Sequence, residues 1–394
     1  MSFYFKFMNK KKGNLLFYGD LFSGKGKSSR FESIANNLNS DFNVEVYSRA
    51  VHKRKTHLYT THSSLIYGSA LRGIGFLSRY SGLRYLDRNS QENIFDIWCS
   101  SKIGEGHSFM VPGLWRTAKK ASASGCTLLH GVISSPSFIF KTIPYMEEEA
   151  IRWGVDFNRY KLIEEAKRVK NAIGYADAII CSSKAVASRY IEGGDIEPSK
   201  VIAMEKWLDF QVLHHNRAFN NSDSVKIVFI GTISLLKGVL RLLEVSKTLT
   251  FPHSITFFGP ISHDVKHVFL REIGENKSLV YAGYGNVQRI SEEYDLAIVP
   301  SYLDAEPRVI RECLTMGMRV LASSHITSID SPNLSTFDIL EGELSEAIEG
   351  VVRDMQNKNL TSLENSHAKE TLPPSTEYNS ELSSLIAMMW KKHE

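Results

Sequence analysis

Asp304, Arg308 and Glu312 stand four residues apart in the last third of the chain. On a helix this spacing lines them up along one face, with a cation between two carboxylates. A carboxylate can accept two hydrogen bonds from a vicinal diol. A guanidinium suits phosphate oxygens. The same three residues could instead form a ladder of i,i+4 ion pairs on a solvated face. Their flanks favour a site. The segment follows an apolar run, Leu296 to Val299, that ends in Pro300. Pro307 is predicted at the first helical position, where its missing N–H costs nothing, and Gly317 just past the helix end. The turn Asp304 to Glu306 then lies at a helix N-terminus, whose free N–H groups attract anions. Glu306 is expected to point away from any phosphate, or toward a hydroxyl.

A second cluster lies upstream. The run from Ile227 to Gly238 reads as a strand, a turn at Gly231, and a basic end at Lys237-Gly238. Lys237 there is either an ordinary solvated lysine or a cation placed at a site. Near the N-terminus, Gly19 to Ser28 includes Gly24, Lys25, Gly26 and Lys27. It imitates a phosphate-binding P-loop, but no register gives a Gly, four residues, then Gly-Lys-Ser/Thr. A strand-to-helix turn fits better, either one that lets a ligand approach the backbone at Gly24 or a purely structural one. His130, just past Thr127 to Leu129, sits at a strand's carboxyl end. It is either structural or close to a reacting group.

These residues need elements to position them. Short apolar runs alternate with helical patterns along most of the chain, which predicts an α/β fold with mostly parallel sheets. Predicted strands are Asn14 to Tyr18, Val44 to Tyr47, Thr127 to Leu129, Ala178 to Cys181 and Val201 to Met204. A second series comprises Lys226 to Ile230, Ile255 to Phe258, Leu279 to Ala282, Leu296 to Val299 and Arg319 to Ala322. The polar stretch His214 to Ser224 reads as a linker. Expected domains are therefore 1–210 and 225–375, with a last helix over 376–394 returning to the first domain. Its stripe of Leu382, Leu385, Ile386, Met389 and Trp390 is core-facing. Open α/β sheets bind ligands beyond the carboxyl ends of their strands, so a cleft between the domains is the expected site.

Composition narrows the class. The chain has 394 residues, enough for two cores. It is 43% hydrophobic and 23% charged, as a globular protein is. A net charge of +4 is too mild to imply nucleic acid. Cys99, Cys126, Cys181 and Cys313 have no metal-site or redox spacing and are expected as free thiols. The N-terminus makes a poor signal peptide, and no run approaches the about 20 apolar residues that span a bilayer. A cytoplasmic protein is expected, with peripheral contact at the inner face of a membrane open. Leu65 to Leu86, which carries Arg72, Arg79 and Arg84, is either a lipid-docking patch or an internal helical pair with snorkelling Arg.

Taken together, the two clusters resemble the donor site of GT-B-fold glycosyltransferases of family 4. That family has an acid, seven residues, then a Glu, which Asp304 and Glu312 match with Asp in place of the usual first Glu. It also has a strand, Gly, Arg, variable residues, then Lys-Gly. Thr232 replaces that Arg, and Arg308 is the expected substitute cation. Gly259-Pro260 and Ala178 to Ser183 match more weakly, and Lys206-Trp207 replaces the family's Asn-Gly. The resemblance implies two Rossmann-like domains facing a cleft. It implies retaining hexosyl transfer from a UDP- or GDP-sugar to a glycan or lipid-linked acceptor, in surface polysaccharide or lipopolysaccharide synthesis. Lys237 would meet the diphosphate, with the Gly231 and Gly24 backbones close by. Asp304 would meet the sugar, Glu312 the ribose, and His130 the transferred sugar. No cofactor and no metal are expected. Competing readings are a kinase or ATPase using Gly19 to Ser28, and a non-catalytic nucleotide-sugar-binding protein.

Overall fold

A computed structural model describes residues 10–21, 27–51, 60–63, 88–205, 224–305, 307–361 and 375–393. Gly24, Glu306, the 65–86 run and all of the polar stretch except Ser224 lie outside these residues. Two sheets organise the described chain. The first contains β1 (Lys12–Leu21), β2 (Asn43–Val51), β3 (Thr60–Ser63), β4 (His107–Met110), β5 (Thr127–Gly131), β6 (Ala178–Cys181) and β7 (Val201–Ala203). Its order is β3-β2-β1-β4-β5-β6-β7. The second contains β8 (Val225–Ile230), β9 (His253–Phe258), β10 (Leu279–Gly283), β11 (Leu296–Val299), β12 (Arg319–Ser323) and β13 (Leu334–Phe337). Its order is β10-β9-β8-β11-β12-β13. All pairings within both sheets are parallel.

Parallel strands need crossovers, and helices supply them. They are α1 (Lys27–Leu38), α2 (Arg88–Lys102), α3 (Trp115–Ala121), α4 (Pro136–Trp153), α5 (Arg159–Ile173) and α6 (Lys184–Glu192) in the first half. In the second half come α7 (Val239–Val245), α8 (Lys266–Glu275), α9 (Val287–Glu293), α10 (Arg308–Thr315), α11 (Leu344–Thr361) and α12 (Ser375–Lys392). Helices on both faces bury the central strands completely. Every residue of β5, β6 and β11 is buried, which explains the unbroken apolar character of β6 and β11. Strand β4 is equally buried but reads His-Ser-Phe-Met, so hydrophobicity alone does not reveal it. The His107 ring nitrogen accepts the Cys126 backbone N–H at 3.1 Å, so the imidazole's polar atom is satisfied inside. All four cysteines are free and buried.

Strand order reverses between β1 and β4, and again between β8 and β11. Ligands bind at such switch points in doubly wound sheets. Helix α4 belongs in sequence to the first half yet packs on the second. Its Ile139, Ile143 and Met146 share one buried cluster with Leu235, Tyr302 and Leu340. Ser135 starts it by accepting the Phe138 N–H at 3.3 Å, and Gly154 ends it at φ 63°. The last helix, α12, lies on the first sheet. Asn37 donates to Ser383 Oγ at 3.3 Å, and the Trp390 ring stands edge-on to Phe42 with centroids 5.0 Å apart.

Candidate functional site

The carboxyl ends of β8 and β11 carry the two clusters singled out in the sequence. After β8 the chain turns at Gly231, whose φ is 153° and whose N–H donates to the Phe258 carbonyl at 2.9 Å. A short 3-10 turn, Leu235–Lys237, follows and ends at Gly238, φ 67°. A Cβ at Gly238 would collide with the carbonyl of Pro300, at the end of β11. Glycine therefore lets this turn close down on the neighbouring strand end. The Tyr302 N–H donates to the Leu236 carbonyl at 2.9 Å and fastens the two loops together. One consequence is an ion pair between Lys237 Nζ and the Asp304 carboxylate. Both side chains are partly exposed, at 28% and 17%, so both remain reachable from the cleft.

Helix α10 begins one residue later than the sequence predicted. Pro307 is its N-cap, with extended ψ of 120°, and Arg308 is the first helical residue. The Pro307 carbonyl already accepts the Ile310 N–H at 3.1 Å. At the far end Gly317 is left-handed, φ 75°. Its N–H reaches the Leu314 carbonyl at 2.9 Å and the Met318 N–H reaches Cys313 at 3.0 Å, a Schellman closure. The apolar face, Ile310 and Cys313, joins Val299 and Val320 in the core. That orientation leaves Arg308 and Glu312 together on another face, 3.3 Å apart. Arg308 is 61% exposed and Glu312 17%, so this pair contributes little to stability. Burial pushes the Glu312 carboxyl above the usual carboxylate range, and the Arg308 charge partly offsets this.

The structure thus brings Lys237 to Asp304 and Arg308 to Glu312. The contacts of Arg308 are with Glu312 rather than with Lys237. His130 ends up in the first domain with 3% of its surface exposed. Along β5 it points the same way as Leu128, toward α1, and its ring packs on Phe31 and Phe109 at centroid distances of 6.3 and 5.3 Å.

Three residues not singled out in the sequence also touch this region. Arg189 Nη1, from α6 of the first domain, donates to the Asp304 carbonyl at 3.2 Å. His325 Nε2 lies 2.9 Å from the Tyr302 carbonyl and must donate to it, since a carbonyl only accepts. Burial, then the Arg189 charge, lowers His325 to about 4, so the imidazole is neutral near pH 7. The Phe138 ring lies between them, 4.6 Å from the His325 ring and 5.4 Å from the Arg189 guanidinium. Beside these three a cavity of about 310 Å³ opens between the domains, also lined by Lys141, Ser324 and Asp338. His325 follows β12 at its carboxyl end, a position that could have marked it. Arg189 and Phe138 carry no such signal, because their partners lie far away in sequence.

No protein-family model and no curated protein sequence matches the chain. Solved structures do resemble it over nearly their whole length. WaaG, a glycosyltransferase involved in lipopolysaccharide biosynthesis, is 13% identical, with 96% of this chain and 98% of that chain covered and a TM-score of 0.52. Sucrose-phosphate synthase (tll1590) from Thermosynechococcus elongatus is 13% identical, with coverages of 97% and 98% and a TM-score of 0.56. Anabaena Alr3699/HepE, crystallised in complex with UDP and glucose, is 14% identical, with coverages of 97% and 98% and a TM-score of 0.52. At such identities the likeness speaks to the fold alone: this chain has the GT-B architecture of two Rossmann-like α/β domains.

Proposed function

We propose that this chain is a retaining glycosyltransferase resembling family 4. On this reading it moves a hexosyl group from a UDP- or GDP-sugar to a hydroxyl of a glycan or lipid-linked acceptor. The Lys237–Asp304 pair at the second domain's switch point, with Glu312 on the adjoining helix, carries the proposal. Lys237 is assigned the donor diphosphate. Asp304, released from the lysine as phosphate arrives, takes sugar hydroxyls. Glu312 takes the ribose diol, and Arg308 beside it supplies a second positive charge. The Gly231 turn is assigned to let the backbone approach the donor closely, and Gly24 is assigned the same part from its sequence. His130, at the carboxyl end of β5, is assigned to the side of the transferred sugar. The donor site is read as metal-independent, because a lysine and the N–H groups opening α10 can stabilise a leaving diphosphate.

In this proposal residues 1–210 and the last helix receive the acceptor, and residues 225–375 hold the donor. Two of the similar structures support the reading: WaaG is involved in lipopolysaccharide biosynthesis, and HepE was crystallised with UDP-glucose. Among the described residues no helix is long and apolar enough to cross a membrane. A cytoplasmic enzyme, peripheral to the inner face of a membrane and working in surface polysaccharide or lipopolysaccharide assembly, is the setting we propose. The test is donor hydrolysis across a panel of UDP- and GDP-sugars. Release of UDP or GDP that disappears in Glu312→Ala supports the proposal. No turnover of any donor, with or without added acceptor glycans, sinks it.

A further inference from the structure

We propose that Arg189 is a positioning residue through which the first domain sets the backbone of the Tyr302–Asp304 loop of the second. The significance given to that loop rests on the function proposed above; the mechanical claim does not. Arg189 is 4% exposed. Its Nε donates to the Ala185 carbonyl at 3.1 Å in its own helix, and its Nη1 reaches the Ser134 hydroxyl at 3.4 Å and the Asp304 carbonyl at 3.2 Å. Among the described residues no carboxylate lies within ion-pair distance of it. Burying a guanidinium without a carboxylate is costly, and each carbonyl it reaches offsets part of that cost. The Asp304 carbonyl is the one acceptor of the set that belongs to the other domain.

The opposite end of the loop is held as well. His325 donates to the Tyr302 carbonyl at 2.9 Å, and Phe138 fills the space between imidazole and guanidinium. The loop's own N–H groups face the other way, Tyr302 and Leu303 both donating to the Leu236 carbonyl at 2.9 and 3.3 Å. The strand-end loop is therefore clamped on both sides. One side is the turn that carries Lys237; the other is Arg189 of the first domain together with His325 of the second. When the domains part, Arg189 leaves Asp304 and the loop keeps its Leu236 and His325 contacts, so the Tyr302 and Leu303 amides open more often. The Asp304 backbone is thus held by both domains only in the arrangement seen here.

Two measurements test this. The first needs no substrate: amide hydrogen exchange of the ligand-free full chain, comparing wild type with Arg189→Gln, Arg189→Lys and His325→Gln. Exchange at Tyr302 and Leu303 should rise about tenfold in Arg189→Gln, the scale of one charge-assisted hydrogen bond, and less in Arg189→Lys. Amides of β8 and β12 should stay as protected as in wild type. Unchanged protection at 302–303 overturns the proposal, and so does a loss spread evenly over the second domain. His325→Gln, which acts on the same loop from within its own domain, gives the same readout if Arg189→Gln does not fold. The second measurement compares the affinity of Arg189→Gln for a nucleotide-sugar with that for the bare nucleoside diphosphate. A selective loss for the sugar-bearing ligand supports the proposal, and equal losses overturn it. Should wild type bind neither, the functional reading fails while the exchange result still decides the clamp.

Discussion

Arg311, on α10 of the second domain, donates to Glu205 at the end of the first domain's sheet, at 2.6 Å. The guanidinium is 8% exposed and the carboxylate 24%. Glu205 also accepts the Lys184 N–H at 3.0 Å, at the start of α6, and the Ser328 hydroxyl at 3.4 Å. The helix that bears Glu312 is therefore tied to the first domain directly. Arg311→Met should destabilise the chain, and a double-mutant cycle with Glu205→Gln should return a coupling of roughly 1.5–3 kcal/mol, typical of a charged hydrogen bond. Denaturant melts of the four proteins check it. A coupling near zero would mean that the pair is a solvated contact.

Lys237 and Asp304 make opposing demands on a ligand. The Asp304 carboxylate occupies the ammonium that a diphosphate would need. Asp304→Asn should therefore tighten binding of bare UDP or GDP several-fold, because the competitor is neutral, while abolishing sugar transfer. Lys237→Ala should weaken nucleoside diphosphate binding by about tenfold to a hundredfold, the scale of a charge-assisted hydrogen bond to phosphate. Calorimetric titration of each variant separates these effects. If Asp304→Asn weakens diphosphate binding, the competition does not exist.

Much of this site could be read from the sequence because its pieces are local. Asp304, Arg308 and Glu312 fall within a single strand-turn-helix unit, and Gly231 and Lys237 within another. Each unit carried its own strand run and glycine signal, so juxtaposing them required only parallel sheet topology. Arg189 and Asp304 are 115 residues apart and meet through a backbone carbonyl, which has no residue type to recognise. Phe138 meets His325, 187 residues away, through ring packing that no local pattern marks. The β4 strand was hidden by His107 and Ser108, two buried polar residues, of which His107 is satisfied within the fold by the Cys126 N–H. The start of α10 was misplaced by one residue because proline suits the N-cap backbone as well as the first helical turn.

Glu149 links the domains to pH. It lies on α4 with 2% of its surface exposed. Burial raises its carboxyl from the ordinary 4.5 to about 7, with the nearby Arg241 charge pulling the other way. Between pH 4.5 and 7 the unfolded chain releases this proton and the folded chain keeps it, so stability falls as pH rises through that window. Below the window Glu149 is protonated in both states and costs nothing; above it the loss is complete, at up to ~3 kcal/mol. Glu149→Gln should stabilise the protein at pH 8 and leave it unchanged at pH 4. Denaturant unfolding at the two values checks the sign. Stabilisation confined to acid pH would show that the carboxyl is ionised in the fold.

Gly238 and Gly283 allow a controlled test of why the lysine turn is built as it is. Both have left-handed backbones, φ 67° and φ 72°. A Cβ at Gly283 meets nothing within 4 Å, whereas one at Gly238 runs into the Pro300 carbonyl. Gly283→Ala should therefore cost only the left-handed penalty of roughly 1–2 kcal/mol. Gly238→Ala adds a steric overlap that backbone must relieve, for a total of at least ~3 kcal/mol. Relief means lifting the 235–238 turn off the end of β11, which carries Lys237 away from Asp304. Gly238→Ala should accordingly weaken nucleoside diphosphate binding as Lys237→Ala does, while Gly283→Ala loses stability without a matching loss at the lysine. Equal stability losses in the two variants would show that the turn has room to spare.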